Sequence, residues 1–405
     1  MIDAMRAAHT RRSIVMSAVL LAPLNGQDPG LTPSVVTTGA TWQRIDLPRI
    51  VGASSPEVTS TPDGALLTWL EPIDDAKPRG FALQMRPFRE GRFGAPMRIH
   101  EGNALFVNWA DIPSAIVAGD GSLFAHWLRH GESGHYGIEL AHKPAQQSAF
   151  TSIGHPHREG IIGMHGFVSM LPENGGVRLF WLDGRNYESH RRMELRCTTV
   201  VGNKYGKEEV LDPDVCTCCQ TSAVMTSKGP LVVYRGHTAG EVRDIMVVRR
   251  KGAGWTDARA VHDDGWVFPG CPVNGPAVAG NGSNVAVVWH TGAKAGAGVK
   301  LSLSADAGAT FSPPLWIDRD DPLGRVDIAA TNRGFVLVWF AAGEQGAELR
   351  SQEWLTEGGL TAAVVVSQVQ ASRQSGFPRL AAVPGGTLLA WTEADGVHAA
   401  LLPSR

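Results

Sequence analysis

Short runs of apolar residues alternate with polar turns along this chain, and one arrangement of them returns seven times. Each repeat has a short strand, a Gly-containing turn, a second strand that ends in an aromatic residue, and a polar loop. Apolar runs of four to six residues bounded by Gly, Asp and Asn predict β-hairpins. The aromatic ends lie 50 to 58 residues apart: Trp69, Trp127, Trp181, Tyr234, Trp289, Trp339 and Trp391. A period near fifty with four strands predicts the blade of a β-propeller, with these aromatics in its core.

The number of blades follows from the two ends of the chain. Repeats one to six each contain four candidate strands, whereas the last, over residues 378–402, contains three. The missing outer strand is available at 42–47, which resembles the fourth strands of other repeats. An N-terminal strand in the last blade would close the ring and remove its exposed edges. We therefore predict an all-β, seven-bladed propeller over 42–405, with six blades and an extra hairpin as the alternative.

The first 26 residues differ from the repeats. Arg6, Arg11 and Arg12 precede a short apolar run, 14–22, that ends at Pro23. This order is typical of a secretory signal peptide, and the run is too short to span a bilayer. We expect a signal peptide at 1–26, a flexible lead-in at 27–41 and a periplasmic or secreted protein, with a disordered tail as the alternative.

Charge narrows the range of partners. The chain has 37 basic and 39 acidic side chains, a net charge of −2, and they are mixed along its length without a basic stripe. Nucleic acid and anionic membrane surfaces are therefore not expected partners. A small molecule, a glycan, a metal ion or another protein is expected instead, bound by a monomeric propeller without a membrane span.

Four of the five cysteines lie in two loops that bracket the fourth repeat: Cys216, Cys218, Cys219 and Cys271. Both loops fall at the same point of the repeat, so a propeller would make them neighbours on one face. In an exported protein, Cys271 could pair with one of the other three in a disulfide that joins the loops. The remaining two cysteines would then be able to form a second bridge.

A metal site is the alternative for the same cysteines. Sulfur ligands in a C-x-C arrangement suit Cu(I), and four thiolates also suit Zn(II). His165, or His155 with His157 in the preceding inter-blade loop, could complete the ligand set. The fifth cysteine, Cys197, lies in an apolar-flanked strand and is most simply a buried core residue.

The other loops predicted on this face carry polar and charged residues. In a propeller, the loops between blades share a face with those between second and third strands, around the mouth of the central channel. We predict a ligand-binding face there, formed by Arg235, Asp244, Asn274, Arg325, Asp327 and Arg379.

One turn in the fifth repeat carries a sequence motif. Its residues Ser304, Asp306, Gly308, Thr310 and Phe311 match the pattern S-x-D-x-G-x-T-[FW]. This is the Asp-box of the sialidase-like (BNR) propeller proteins, which the chain resembles in its repeat architecture. Only one repeat carries the motif intact, and Arg92–Phe93 and Trp255 look like degenerate copies. Its role is structural, because Asp and Thr tie the hairpin together and Gly permits the turn.

The resemblance also implies a possible activity. Sialidases of this kind bind the substrate carboxylate with three arginines and use a tyrosine nucleophile and an aspartate acid. It implies Arg185, Arg325 and Arg379 as a carboxylate clamp, with Asp244 as a further candidate. However, Tyr234 occupies the strand-ending aromatic position, the arginine motif of the first sialidase strand is not matched, and sialidase rings have six blades. A shared fold does not transfer function.

We therefore expect an exported binding or accessory protein whose ligand face is centred on the cysteines, with copper as the first metal and zinc as the second. An exo-sialidase type of glycoside hydrolase is one alternative. A protein-interaction scaffold with disulfide-stapled loops is the other.

Overall fold

The computed structural model describes residues 41–73, 80–160, 162–173, 175–344 and 346–405. Within these ranges the chain forms seven antiparallel sheets of four or five strands. They are the blades of a β-propeller, so the predicted seven-bladed fold is confirmed and the six-bladed alternative is wrong. The predicted signal peptide, 1–26, and nearly all of the lead-in lie outside the described residues.

Blades 1 to 4 take their strands consecutively from the chain. Blade 1 comprises Ser54–Thr61, Gly64–Ile73, Gly80–Arg89, Arg92–Phe93 and Met97–Gly102. Blade 2 comprises Ser114–Val117, Leu123–His130, Tyr136–Lys143 and Thr151–Gly154. Blade 3 comprises His165–Glu173, Gly176–Asp183, Met193–Val201, Lys204–Tyr205 and Glu209–Val215. Blade 4 comprises Ser222–Thr226, Gly229–Arg235, Ile245–Lys251, Gly254–Trp255 and Arg259–Ala260.

Blades 5 and 6 continue this order, and blade 7 uses both ends of the domain. Blade 5 comprises Ala277–Asn281, Asn284–Ala293, Gly296–Ser304 and Leu315–Asp318. Blade 6 comprises Pro322–Thr331, Gly334–Gly343, Gly346–Leu355, Gly359–Leu360 and Val364–Val369. Blade 7 comprises Arg379–Val383, Gly386–Glu393, Gly396–Pro403 and the N-terminal Gln43–Ile45.

The N-terminal strand closes the ring as predicted. Gln43–Ile45 pairs antiparallel with Gly396–Pro403, and the register places Gln43 opposite Leu401 and Ile45 opposite Ala399. Blade 7 therefore gains its fourth strand from the opposite end of the domain. The pairing covers a sheet edge that would otherwise expose unpaired backbone groups.

Helical structure is confined to short connections. The described ranges contain one α-helical turn, Tyr187–His190, and the 3₁₀ turns Glu132–Gly134 and Arg373–Ser375. None of the helices in these ranges has the length and apolar character needed to cross a membrane.

The aromatic residues at the ends of the second strands form the core. All seven are at most 5% exposed. Several donate a hydrogen bond to a carboxylate: Trp181 Nε1 to Asp183 Oδ2 at 2.8 Å, Trp289 to Asp264 Oδ2 at 2.7 Å and Trp339 to Asp318 Oδ2 at 2.6 Å. A buried indole N–H needs such a partner, so Asp183 fixes a ring of its own blade, and Asp264 and Asp318 fix rings of the following blade.

The hairpin at residues 304–311 of blade 5 has the hydrogen bonds expected for its motif. Asp306 accepts from Ser304 Oγ at 2.8 Å, from Thr310 N at 2.8 Å and from Thr310 Oγ1 at 2.7 Å. Gly308 has φ of 76°, and a Cβ there would lie 2.1 Å from Leu231 Cδ1, so the turn requires glycine. Arg92–Phe93 and Gly254–Trp255 form short hairpin strands at the equivalent place in blades 1 and 4.

Candidate functional site

The loop that carries the three clustered cysteines connects blade 3 to blade 4, over residues 216–221. Its first residue continues the strand pairing, because Cys216 N donates to Arg235 O at 3.0 Å. The side chain of Gln220 fixes the other end: its Nε2 donates to Ala110 O at 2.6 Å, and its Oε1 accepts from Gly275 N at 3.0 Å. The loop is therefore attached to two distant inter-blade loops.

Three sulfur atoms lie together in this loop. Cys216 Sγ is 3.9 Å from Cys218 Sγ and 3.7 Å from Cys219 Sγ, and all three sulfurs are within 4.8 Å of one another. Cys216 and Cys219 are buried, whereas Cys218 is half-buried. None of the five cysteines is in a disulfide. We call Cys216, Cys218 and Cys219 the three-sulfur group.

The three thiols do not have the same acidity. Hydrogen bonds from Cys218 and Cys219, together with the positive charge of Arg235, hold the pKa of Cys216 well below its usual value, although burial opposes them. Burial raises the pKa of Cys219 to about 12. The hydrogen bond with Cys216 is the largest of the causes that raise the pKa of Cys218. Of the three thiols, Cys216 is therefore the one that ionises most readily.

Cys271 lies beside this loop but outside the group. Its Sγ is 3.8 Å from Thr217 Oγ1, and the residue is exposed. Among the described residues, the cluster of mutually close ligand atoms at this place contains only the three sulfurs. The cysteine loops on either side of blade 4 are thus adjacent, and Cys271 contacts Thr217, which lies between Cys216 and Cys218 in the sequence.

The side chain of His165 makes its polar contacts at blade 3. Its Nε2 is 2.8 Å from Ile162 O, and its Nδ1 is 3.2 Å from Asp183 Oδ2. Its ring stacks on that of His157 at 4.0 Å, and His157 stacks on His155 at 5.1 Å. The structure therefore places these three histidines in a stack of their own, and His165 is not in the cluster of ligand atoms formed by the sulfurs.

Arg235 links the three-sulfur group to the loop of Cys271. Its guanidinium is 1% exposed and donates to Asn274 O from Nε at 2.9 Å and from Nη2 at 2.6 Å. It also donates to the carbonyl oxygens of Arg243 and His290, and its Cζ lies 4.7 Å from the ring centroid of Trp266. These contacts are typical of a buried structural arginine.

Asp244 and Asn274 organise the neighbouring loops. The carboxylate of Asp244 accepts from Gly265 N at 2.9 Å and from Trp266 N at 3.0 Å. Asn274 Oδ1 accepts from Arg325 N at 2.7 Å. Through Arg235 and Asn274, hydrogen bonds connect Cys216 to Arg325, so three of the six sequence-predicted face residues belong to one network.

The central channel contains a cavity of about 190 Å³ that is lined by the first strands of all seven blades. In it, Arg379 Nε lies 3.0 Å from Glu57 Oε2, and Asp327 Oδ2 accepts from Leu380 N at 2.7 Å. Burial raises the pKa of Glu57 to about 7, against the opposing effect of Arg379. Asp111 also lines the cavity, and burial raises its pKa to about 7.

The three arginines of the implied carboxylate clamp have separate partners. Arg185 donates to Asp183 from Nε at 2.8 Å and from Nη2 at 2.7 Å, and it also pairs with Glu208. Arg379 pairs with Glu57 in the channel. Arg325 donates from Nη1 to the carbonyl oxygens of Ser372 at 2.8 Å and Gly376 at 3.2 Å. The three guanidinium groups share none of these partners.

Two residues of this face were not singled out from the sequence. Trp109 lies under Arg325, with 4.9 Å from Cζ to the ring centroid, and Arg373 lies 5.8 Å from the same centroid. Trp109 has one available signal: it is a tryptophan in an inter-blade loop, outside the repeated strand position. Nothing in the sequence around Arg373 distinguishes it.

Comparison with known proteins identifies the fold but no family. No protein-family model matches the chain, and no curated protein matches it in sequence. Similar solved structures include an ulvan lyase, described as a new family of polysaccharide lyase and bound to a GlcA-containing saccharide. It has 14% identity and a TM-score of 0.56, covering 89% of this chain and 96% of the lyase. An α-L-arabinofuranosidase of Fusarium graminearum has 14% identity and a TM-score of 0.50, covering 90% of this chain and 98% of that enzyme.

A Hadza microbial sialidase is also similar, with 9% identity and a TM-score of 0.48, covering 80% of this chain and 73% of the sialidase. At such identities the likeness concerns the propeller fold. The propeller fold is supported by the lyase and arabinofuranosidase structures, whereas the sialidase-like Asp-box relationship stays a prediction.

Proposed function

We propose that this protein is an exported metal-binding propeller that holds one thiophilic ion, Cu(I) in first place, through Cys216, Cys218 and Cys219. The observation that carries the proposal is the mutual proximity of three sulfurs, two of whose separations are 3.7 and 3.9 Å. A disulfide would require about 2.0 Å between two of these atoms.

The sulfur separations fit ligands of a single ion. Metal–sulfur bonds of about 2.3 Å put two sulfurs about 3.8 Å apart at tetrahedral angles and about 4.0 Å apart in a trigonal plane. The loop therefore needs little rearrangement to bind an ion. Because Arg235 and the neighbouring thiols lower the pKa of Cys216, deprotonation of this ligand on metal binding requires less free energy.

The number of ligands favours copper over zinc. Structural zinc sites are almost always four-coordinate, whereas the compact group has three sulfurs. Zinc would need Cys271 as a fourth ligand, and that thiol lies beside Thr217 rather than in the group. Soft thiolates without a nitrogen or oxygen ligand suit Cu(I).

Metal titration of reduced protein tests this proposal. We expect the wild type to retain one equivalent of Cu(I) against a competing chelator, and Cys216→Ser and Cys219→Ser to lose it. Cys271→Ser should retain Cu(I), and Cys197→Ser is the control for a buried thiol outside the group. If the folded, fully reduced wild type does not retain copper, the proposal is wrong.

A free-thiol count under non-reducing conditions distinguishes the metal-binding function from that of a disulfide-stapled scaffold. If the CTCC loop and Cys271 are joined by a disulfide in protein isolated from its natural compartment, the count falls by two. The stapled-scaffold function would then replace the metal-binding function. Five free thiols in the denatured, unreduced protein, together with copper bound to the native protein, support metal binding.

A carbohydrate-active enzyme is the second candidate. It is supported by the fold likeness to a polysaccharide lyase and an arabinofuranosidase, and by the Glu57–Arg379 pair in the channel cavity. The exo-sialidase form has less support, because its three arginines are held by different groups. A fluorogenic sialoside assay tests it: turnover that is no higher in the wild type than in Arg325→Ala would exclude it.

A further inference from the structure

A second cavity lies on the same face as the cysteine loops, where blade 7 meets blade 1. Its volume is about 480 Å³, and it is lined by loop residues 52–55, Trp109, the turn at 373–376 and residues 392–394 of blade 7. We call it the Trp109 cavity. Its position is set by inter-blade loops, which in a propeller surround the channel mouth.

Two guanidinium groups lie near the ring of Trp109: Arg373, which lines the cavity itself, and Arg325, which lies outside its lining. Arg325 Cζ is 4.9 Å and Arg373 Cζ is 5.8 Å from the ring centroid of Trp109. The ring of Phe377 stacks on that of Trp109, with 5.8 Å between the two centroids. The indole is therefore held in place by packing, and both cations are positioned by it.

The two arginines lack a carboxylate. Within the part of the chain that the structure describes, no ion pair of 4.0 Å or less involves Arg325 or Arg373, and Arg325 donates only to backbone carbonyls. By contrast, Arg185, Arg350 and Arg379 each have an acidic partner. Burial and the charge of Arg373 lower the pKa of Arg325 to about 10. Two adjacent positive charges without an anion repel each other.

The wall of the cavity also carries unused polar groups. Thr392 is 5% exposed, lines the cavity, and its Oγ1 has no hydrogen-bond partner. Ser55, 4% exposed, has φ of 55°, an unusual conformation for a residue other than glycine. The one carboxylate on the wall, Glu393, is already engaged by Arg44 at 3.2 Å and by Trp391 Nε1 at 2.7 Å.

We infer that the Trp109 cavity binds a small molecule through an oxyanion, a carboxylate or a sulfate, that is placed between Arg325 and Arg373. Such a group would separate the two like charges and accept charge-assisted hydrogen bonds from both guanidinium groups. The neutral polar wall at Thr392 would then contact the uncharged remainder of the ligand. This site is independent of the three-sulfur group and goes beyond the metal-binding function.

Calorimetric titration at low ionic strength tests the inference with three probes: glucuronate, inorganic sulfate and glucose. We expect glucuronate to bind and glucose not to bind, because only the former carries an anion. Sulfate binding alongside glucuronate would show that the oxyanion suffices, and glucuronate binding alone would show that the organic part contributes. Failure of both anions at millimolar concentration, or equal binding of glucose, would overturn the inference.

Variants locate the site. Arg373→Gln removes one exposed cation, and we expect it to weaken glucuronate binding at least about tenfold. Arg325→Gln should weaken glucuronate binding in the same way. If Arg325→Gln does not fold, Arg373→Gln still tests the site, because Arg373 is exposed. Arg333→Gln, in an exposed turn on the opposite face, is the matched control. Wild-type affinity in Arg373→Gln would contradict the site, and Cu(I) retention should be unchanged in all three variants.

Discussion

The backbone carbonyl of Asn274 accepts two hydrogen bonds from Arg235, from Nε at 2.9 Å and from Nη2 at 2.6 Å. Arg235 in turn accepts a hydrogen bond at its own carbonyl from Cys216 N at 3.0 Å. A single buried residue therefore contacts the loop before blade 4 through its backbone carbonyl and the loop after blade 4 through its guanidinium. Since its charge also favours the Cys216 thiolate, the stability of the loops and the acidity of the sulfur depend on the same residue.

Arg235→Ala should destabilise the fold and raise the pKa of Cys216. Several buried carbonyl oxygens would lose their donor, and we expect a loss of about 3–5 kcal/mol in the free energy of unfolding. Urea denaturation measures the first effect, and the pH dependence of thiolate absorbance measures the second.

Lys251→Ala is the control for this change, because Lys251 is an exposed cation of the same blade. It should alter the unfolding free energy by less than about 0.5 kcal/mol. Equal stability of Arg235→Ala and Lys251→Ala would show that the guanidinium does not connect the loops energetically.

Removal of the N-terminal strand should open the ring. A chain that begins at Leu47 lacks Gln43–Ile45 and exposes the edge of Gly396–Pro403. Unpaired edges invite association with other chains, so we expect a lower unfolding midpoint and concentration-dependent oligomers in sedimentation experiments. A chain that begins at Thr41 keeps the strand and is the matched control. If both chains are equally stable monomers, the closing strand contributes nothing.

Asp306→Ala should loosen the hairpin at residues 304–311 without affecting the candidate sites. The change removes acceptors for Ser304 and Thr310, and we expect a cost of about 1–2 kcal/mol in thermal or urea unfolding. Asp257→Ala is the control, because Asp257 is exposed in the corresponding turn of blade 4. A change in Cu(I) retention in Asp306→Ala would contradict the purely structural role.

Asp111 should make the fold less stable as the pH rises. Burial raises its pKa from the usual 3.8 to about 7, against the opposing hydrogen bond from Phe167 N. Between these values the unfolded chain ionises while the folded chain stays protonated, so folding loses up to about 1.4 kcal/mol per unit of pKa difference. This decrease in the free energy of unfolding begins near pH 4 and is complete above pH 7.

Asp111→Asn tests this dependence, because an amide does not ionise. Its unfolding free energy relative to the wild type should increase from pH 5 to pH 8 and then level off in urea titrations. Asp257→Asn, in an exposed turn, should show no such trend. A difference between Asp111→Asn and the wild type that is the same at every pH would contradict the raised pKa.

The sequence was a good guide to the ring and a partial guide to the candidate site. Strand-ending aromatics such as Trp181 and Trp289 recur at a fixed period, and this pattern depends on local alternation that each blade needs separately. The adjacency of the two cysteine loops, which the contact between Thr217 and Cys271 shows, also followed from the period. The role of Arg235 did not, because a loop arginine looks the same in sequence whether it faces a ligand or buried carbonyl oxygens.

By itself, the sequence determined the all-β class, the seven repeats and the strand Gln43–Ile45 that closes them, because these depend on short-range patterns of apolar residues and turns. Only the tertiary structure decided that three sulfurs converge while Cys271 stays apart, and that Arg325 and Arg373 share the ring of Trp109. The contacts of Trp109 join residues from different inter-blade loops, and the conformation of the cysteine loop depends on its attachment to Ala110 and Gly275. The distances between these residues depend on how the loops pack around the channel, which no local pattern specifies.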